Sequence, residues 1–157
     1  MFHRDSELFC VSGQRATELR RLVVRYGSLL RGKKVVVLIG TNDVLRNTSF
    51  SCFQSVYASL VSLLEKNACE VHVCEILPIP RFTNTDQRFD SVKDYNECIR
   101  SFESAVVKVI HCHARFVQCN IINEGLYCKF IGKNGRTDLV HPNKCGLNVL
   151  FLTLEAL

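Results

Sequence analysis

Asp138-Leu139-Val140-His141 places a carboxylate three residues before an imidazole. On a turn leading into a helix, this spacing lets Asp138 accept from His141 Nδ1–H and leaves Nε2 free as a general base. A second polar group, Gly40-Thr41-Asn42-Asp43, follows an apolar run. The Asn42 amide can donate to a developing oxyanion, and so can the backbone N–H of Gly13. Gly40 and Asp43 are expected to support that edge, with Asp43 capping or orienting the loop rather than reacting. Each group also has a plainer reading. Asp138 and His141 fit a helix N-cap beside an exposed histidine, and 40–43 fits an ordinary strand-end turn.

These groups need a scaffold that brings them to one edge. Val35 to Ile39 is a run of five apolar residues, four of them β-branched, and reads as a buried parallel strand. Ligand sites of open α/β sheets lie just past the carboxyl ends of such strands. Leu8–Val11 is a short strand candidate closed by Ser12-Gly13. Residues 15–31 read as a helix, with Leu19, Leu22, Val23, Tyr26 and Leu30 on one face. A second helix spans about 51–66, with caps offered by Asn47-Thr48-Ser49. Glu70–Leu77 is a strand stopped by Pro78 and Pro80. Asp90 or Ser91 caps a third helix, about 92–111. Arg115–Cys119 is a strand, 120–140 mostly loop, and 143–156 the last helix. Strands alternating with helices of this length predict one α/β domain over 1–157, a parallel sheet with helices on both faces.

The bulk composition excludes some classes. Apolar residues make up 47%, too many for a disordered segment. No run approaches the length of a membrane-spanning helix. The nine cysteines include no Cys-x-x-Cys pair, and several sit in apolar runs, which predicts reduced thiols and an intracellular, cytoplasmic setting. His111-Cys112-His113 with Cys119 lacks a second ligand pair of zinc-site spacing and reads as a structural cluster. The net charge of +5 is uneven: residues 1–34 hold eight Lys/Arg against three Asp/Glu, and the remainder holds twelve of each.

The chain resembles the SGNH, or GDSL-like, esterase and lipase superfamily. VVVLIGTND is similar to that family's third block, through Gly40 and Asn42. CVSG is similar to the second, through Gly13, and DLVHPNKCGLNVL to the fifth, through Asp138, His141, Asn143 and Gly146. Ile76–Pro80 and Tyr95-Asn96 are similar to the strand end and helix between them. The resemblance implies a flavodoxin-like three-layer α/β/α sandwich. It also implies ester hydrolysis in which His141 is the base, Asp138 its orienter, and Gly13 and Asn42 the oxyanion hole. No metal or organic cofactor is needed for that chemistry.

The first block, a strand ending in Gly-Asp-Ser, has no counterpart. Asp5-Ser6 lies two residues before the Leu8–Val11 strand, with no room for the intervening helix. The resemblance therefore implies a domain whose first strand and helix are missing, inactive because the nucleophile is absent. The favoured explanation is a truncated gene product, and the alternative is direct pairing of the first two strands here. A second expectation follows from charge. Arg20, Arg21, Arg25 and Arg31, with Lys33 and Lys34, carry the footprint of phosphate-backbone binding, beside the plain reading of a solvated face. The OSK domain resembles the same superfamily, lacks its catalytic residues and binds RNA, so an OSK-like RNA-binding module is the alternative to an esterase. A protein-interaction domain that merely keeps the fold is the third.

Overall fold

The computed structural model describes residues 11–82, 85–131 and 136–155. Ser6 and most of the expected first strand, Leu8–Cys10, lie outside them. Val11 is exposed and belongs to no strand.

Three parallel strands form the central sheet: β1 (Lys34–Val37), β2 (Glu70–Cys74) and β3 (Val107–Ile110), in that spatial order. Their register separates two faces. Val35, Val71 and Val107 stand side by side, as do Val37, Val73 and Val109. These six point into the larger hydrophobic cluster. Val36, His72 and Lys108 form the intervening row of the other face, and farther along it Cys74 and Ile110 enter a smaller cluster with Phe116, Tyr127 and Leu150. The period-two alternation thus gives each face its own core.

Helix α1 (Ala16–Tyr26) ends sooner than the expected 15–31, and its last turn tightens into a 3₁₀ segment, Gly27–Leu30. A Cβ on Gly27 would stand 3.0 Å from the Asn67 side chain, so the chain turns there against the end of a later helix. The Gly40 turn opens a short helix, α2 (Thr41–Leu45). Helix α3 (Phe50–Asn67) starts at Ser49, whose hydroxyl accepts from Cys52 N. Its fully buried Phe53 stacks on Tyr95 of helix α4 (Gln87–Arg100), with ring centroids 4.0 Å apart. Burial of each such ring contributes about 1.5–3 kcal/mol.

The largest correction lies between 92 and 120. Helix α4 is capped by Asp86 rather than by Asp90 or Ser91, and it stops at Arg100. The residues beyond it, read as helix, contain β3. Ser104 Oγ accepts from Val106 N and Val107 N, a local turn that launches the strand. The expected strand at 115–119 is a 3₁₀ turn (His113–Phe116) followed by β4 (Val117–Gln118), which pairs with β5 (Ile121–Ile122) and, among the described residues, with no strand of the central sheet. The expected loop holds a further small ladder, β6 (Phe130–Ile131) with β7 (Arg136–Thr137). Helix α5 (Lys144–Glu155) follows Asn143, whose Oδ1 accepts from Cys145 N and Gly146 N.

The turn after β2 carries a buried carboxylate. Glu75, 2% exposed, accepts from Arg100 Nη1, His111 Nδ1 and the His113 backbone N–H, and its carbonyl takes the Cys112 thiol. His113 Nδ1 donates to Ile76 O at 2.9 Å. The His-Cys-His segment is thus bound into the fold by β2. Among the described residues no helix is long and apolar enough to cross a membrane.

Candidate functional site

Two loops at the carboxyl edge of the sheet carry the chemistry-bearing residues. The first follows β1. Gly40 has φ +123°, and a Cβ there would meet Ile76 Cδ1 at 2.5 Å, so the turn admits only glycine. Asp43 is 1% exposed and its Oδ2 accepts from Ala16 N at 2.9 Å. This side chain caps α1 from another element. Glu18 Oε2 satisfies the neighbouring Arg15 N–H at 3.0 Å. Burial pushes the Asp43 carboxyl up, against the opposing pull of the Ala16 N–H and the Arg15 charge. The Arg15 guanidinium holds Glu18 down at about 2. Asn42 Nδ2 donates to Gln14 O at 3.1 Å, which ties the loop to the turn containing Gly13. Gly13 is exposed with φ +75°, and a Cβ there would lie 3.5 Å from Arg46 Nη2. Gly13, Asn42 and Asp43 are therefore brought into one cluster, with the polar groups of Asn42 and Asp43 bonded to backbone.

The second loop precedes α5. Asp138 is 3% exposed, and His141 Nδ1 lies 3.0 Å from its Oδ1 and 2.9 Å from its Oδ2. The same carboxylate accepts from the backbone N–H of Val140 at 3.2 Å and of His141 at 3.4 Å. Donation from Nδ1 fixes the tautomer and directs Nε2 outward from a side chain 69% exposed. Backbone bonds hold the loop at both ends: Leu139 N to Cys128 O, and Cys128 N to His141 O, each 2.8 Å. Asn143 Nδ2 donates to Gly125 O and Tyr127 O, and a Cβ on Gly146 would stand 2.2 Å from Leu126 O. The Asn-x-x-Gly helix start is thus a docking surface for the 124–127 turn.

Sequence reasoning missed Arg81. Its Nε donates to Asp138 O at 2.8 Å and its Nη2 to Thr137 O at 2.9 Å, and Nη2 lies 3.8 Å from Asp138 Oδ1. The one available signal was its place directly after the strand-ending Pro78-Ile79-Pro80. Arg46, beside Gly13, was missed in the same way. Both put positive charge next to the predicted oxyanion and dyad positions.

The basic residues occupy another part of the molecule. Arg21 and Arg25 project from α1 into solvent, and Arg20 is half-buried. Arg25 lies over the ring of Tyr26 at 5.2 Å. Arg31, Lys33 and Lys34 are exposed around the turn into β1, at the sheet edge opposite the two loops. Lys34 lies 3.6 Å from Glu70 Oε1, whereas Arg20, Arg21, Arg25 and Arg31 make no ion pair among the described residues.

Known proteins add the family. No curated protein sequence matches the chain. Among solved structures, the OSK domain of Drosophila Oskar superposes with a TM-score of 0.80 at 19% identity, covering 99% of this chain and 77% of that one. An acetylxylan esterase from Geobacillus stearothermophilus gives 0.70 at 16% identity, over 92% of this chain and 68% of that one. A GDSL-like lipase from Bacteroides thetaiotaomicron gives 0.65 at 22%, over 92% and 71%. These likenesses show the fold: an α/β architecture with a parallel sheet, of the flavodoxin-like SGNH type. A family model of the OSK domain matches residues 4–130, a span that holds Gly13, Asn42, α1 and β1 and stops before Asp138 and His141. The chain therefore belongs to the OSK domain family.

Proposed function

We propose that this domain uses an SGNH-type scaffold without catalysis, and binds RNA through the basic face of α1 and the turn into β1. The observation that carries this reading is the exposed set Arg21, Arg25 and Arg31 with the half-buried Arg20, which make no ion pair among the described residues; Lys33 and Lys34, the latter beside Glu70, add positive charge next to it. Cations not already engaged by carboxylates are available to phosphates, and each phosphate neutralised releases counterions. Membership of the OSK family is in keeping with this reading. Fluorescence anisotropy with labelled RNA across a salt series tests it. The wild-type domain should bind with affinity that falls steeply as salt rises. Reversal of Arg20, Arg21, Arg25 and Arg31 to glutamate should weaken binding at least about 100-fold and flatten the salt slope. Absence of salt-sensitive binding by the wild type defeats the reading.

One observation favours a second reading, an esterase of the SGNH kind: the paired contact of the Asp138 carboxylate with His141 Nδ1. In that reading, with no serine nucleophile in place, His141 Nε2 takes a proton from a water that attacks the ester carbonyl and returns it to the leaving alkoxide, Asp138 holds the tautomer, and Gly13 N–H and the Asn42 amide stabilise the oxyanion. Asn42 would first have to release Gln14 O. Hydrolysis of short-chain p-nitrophenyl esters, lost in His141→Ala, would establish this reading and displace the non-catalytic one.

A further inference from the structure

We propose that the surface beside the Asp138/His141 loop is a second RNA contact, a seat in which one unpaired base stacks on Phe130. This rests on the RNA-binding reading above and adds to it the state of the RNA, single-stranded rather than duplex. Phe130 lies on the two-residue strand β6 and is 68% exposed, outside both hydrophobic clusters. The fold does not use this ring as core, and most of its surface is open to solvent. Beside it an open concavity of about 190 Å³ is lined by Glu124, Lys129, Phe130, Thr137 and Leu139. That volume suits one planar ring rather than a drug-sized ligand.

The lining matches the parts of a nucleotide. Phe130 supplies a π face and Leu139 an apolar wall. The Lys129 ammonium suits a phosphate, and the Glu124 carboxylate can accept from an exocyclic amino group or from the ribose 2′-hydroxyl. The walls are held in place. Arg81 grips Thr137 O and Asp138 O, Asp138 N donates to Lys129 O at 3.1 Å, and Leu139 N donates to Cys128 O at 2.8 Å. Leu139 sits at φ +48°, a left-handed conformation that is rare for leucine and is imposed by these bonds. Two residues on, His141 presents a side chain 69% exposed. A base stacked within a duplex has no free face for Phe130, so the seat selects unpaired RNA.

The test compares Phe130→Ala, Phe130→Tyr and the arginine-to-glutamate α1 variant, with thermal melting as a folding check. The probes are a short fluorescent oligouridine and a duplex RNA of the same length. Phe130→Ala should weaken oligouridine binding about tenfold, leave duplex binding unchanged, and be rescued by Phe130→Tyr. Ultraviolet crosslinking followed by mass spectrometry should place the oligouridine adduct on the peptide carrying Phe130. Wild-type oligouridine affinity in Phe130→Ala, or an equal loss for duplex, overturns the seat. If the α1 variant still loses binding in that case, the RNA-binding reading survives alone. If the wild type binds neither probe, both fail.

Discussion

The two loops at the carboxyl edge of the sheet use the same residue types in opposite ways. After β1, Asp43 is buried and spends its carboxylate on the first turn of α1, while the Asn42 amide is bonded to Gln14 O. Before α5, Asp138 is equally buried, but its carboxylate holds an imidazole that faces solvent. The first loop is a structural joint. The second holds an imidazole in one tautomer at the surface. Side-chain type alone does not distinguish them; what each polar atom is already bonded to does.

Three substitutions can break or sharpen that contrast. Gly40→Ala should have the largest effect, about 3 kcal/mol or more of lost stability in denaturant titration. Its Cβ would collide with Ile76 Cδ1 at 2.5 Å, and φ +123° is disfavoured for any L side chain. Asp43→Ala should cost about 2 kcal/mol, because it orphans the buried Ala16 N–H and removes a helix cap. Amide exchange in the first turn of α1 should speed up with it. His141→Ala should cost under about 0.5 kcal/mol, since its side chain is 69% exposed and Asp138 keeps its bonds from Val140 N and His141 N. A loss near 2 kcal/mol in His141→Ala would make the dyad a structural joint as well and erase the contrast.

The parts legible in the sequence were those whose physics is local. β1 announces itself as a β-branched run before a glycine turn, and β2 as an apolar stretch that Pro78 and Pro80 must stop. Asp138 and His141 are three residues apart, and Asn143 caps the helix that begins next to it. β3 was hidden for a specific reason. Ile99, Phe102, Val106 and Val109 continue the helical spacing of α4 without a break. The last helical bond is Ser101 N to Glu97 O, and beyond it Ser104 Oγ takes the N–H groups of Val106 and Val107 and turns the chain into the strand. A valine-rich stretch fits either period, and the arbiter was turn chemistry. The roles of Asp43 and Arg81 could not be read because their partners are 27 and 57 residues away. Only the folded sheet edge brings those groups together.

The buried carboxylate of Glu75 has a consequence for how the molecule opens. It fastens three separate stretches at one point: the end of β2, the last turn of α4 through Arg100, and the segment after β3 through His111 and His113. Lifting any one of them strips a hydrogen bond from a buried carboxylate, with the others still attached. The three therefore release together, as one cooperative unit of local unfolding rather than as three fraying ends.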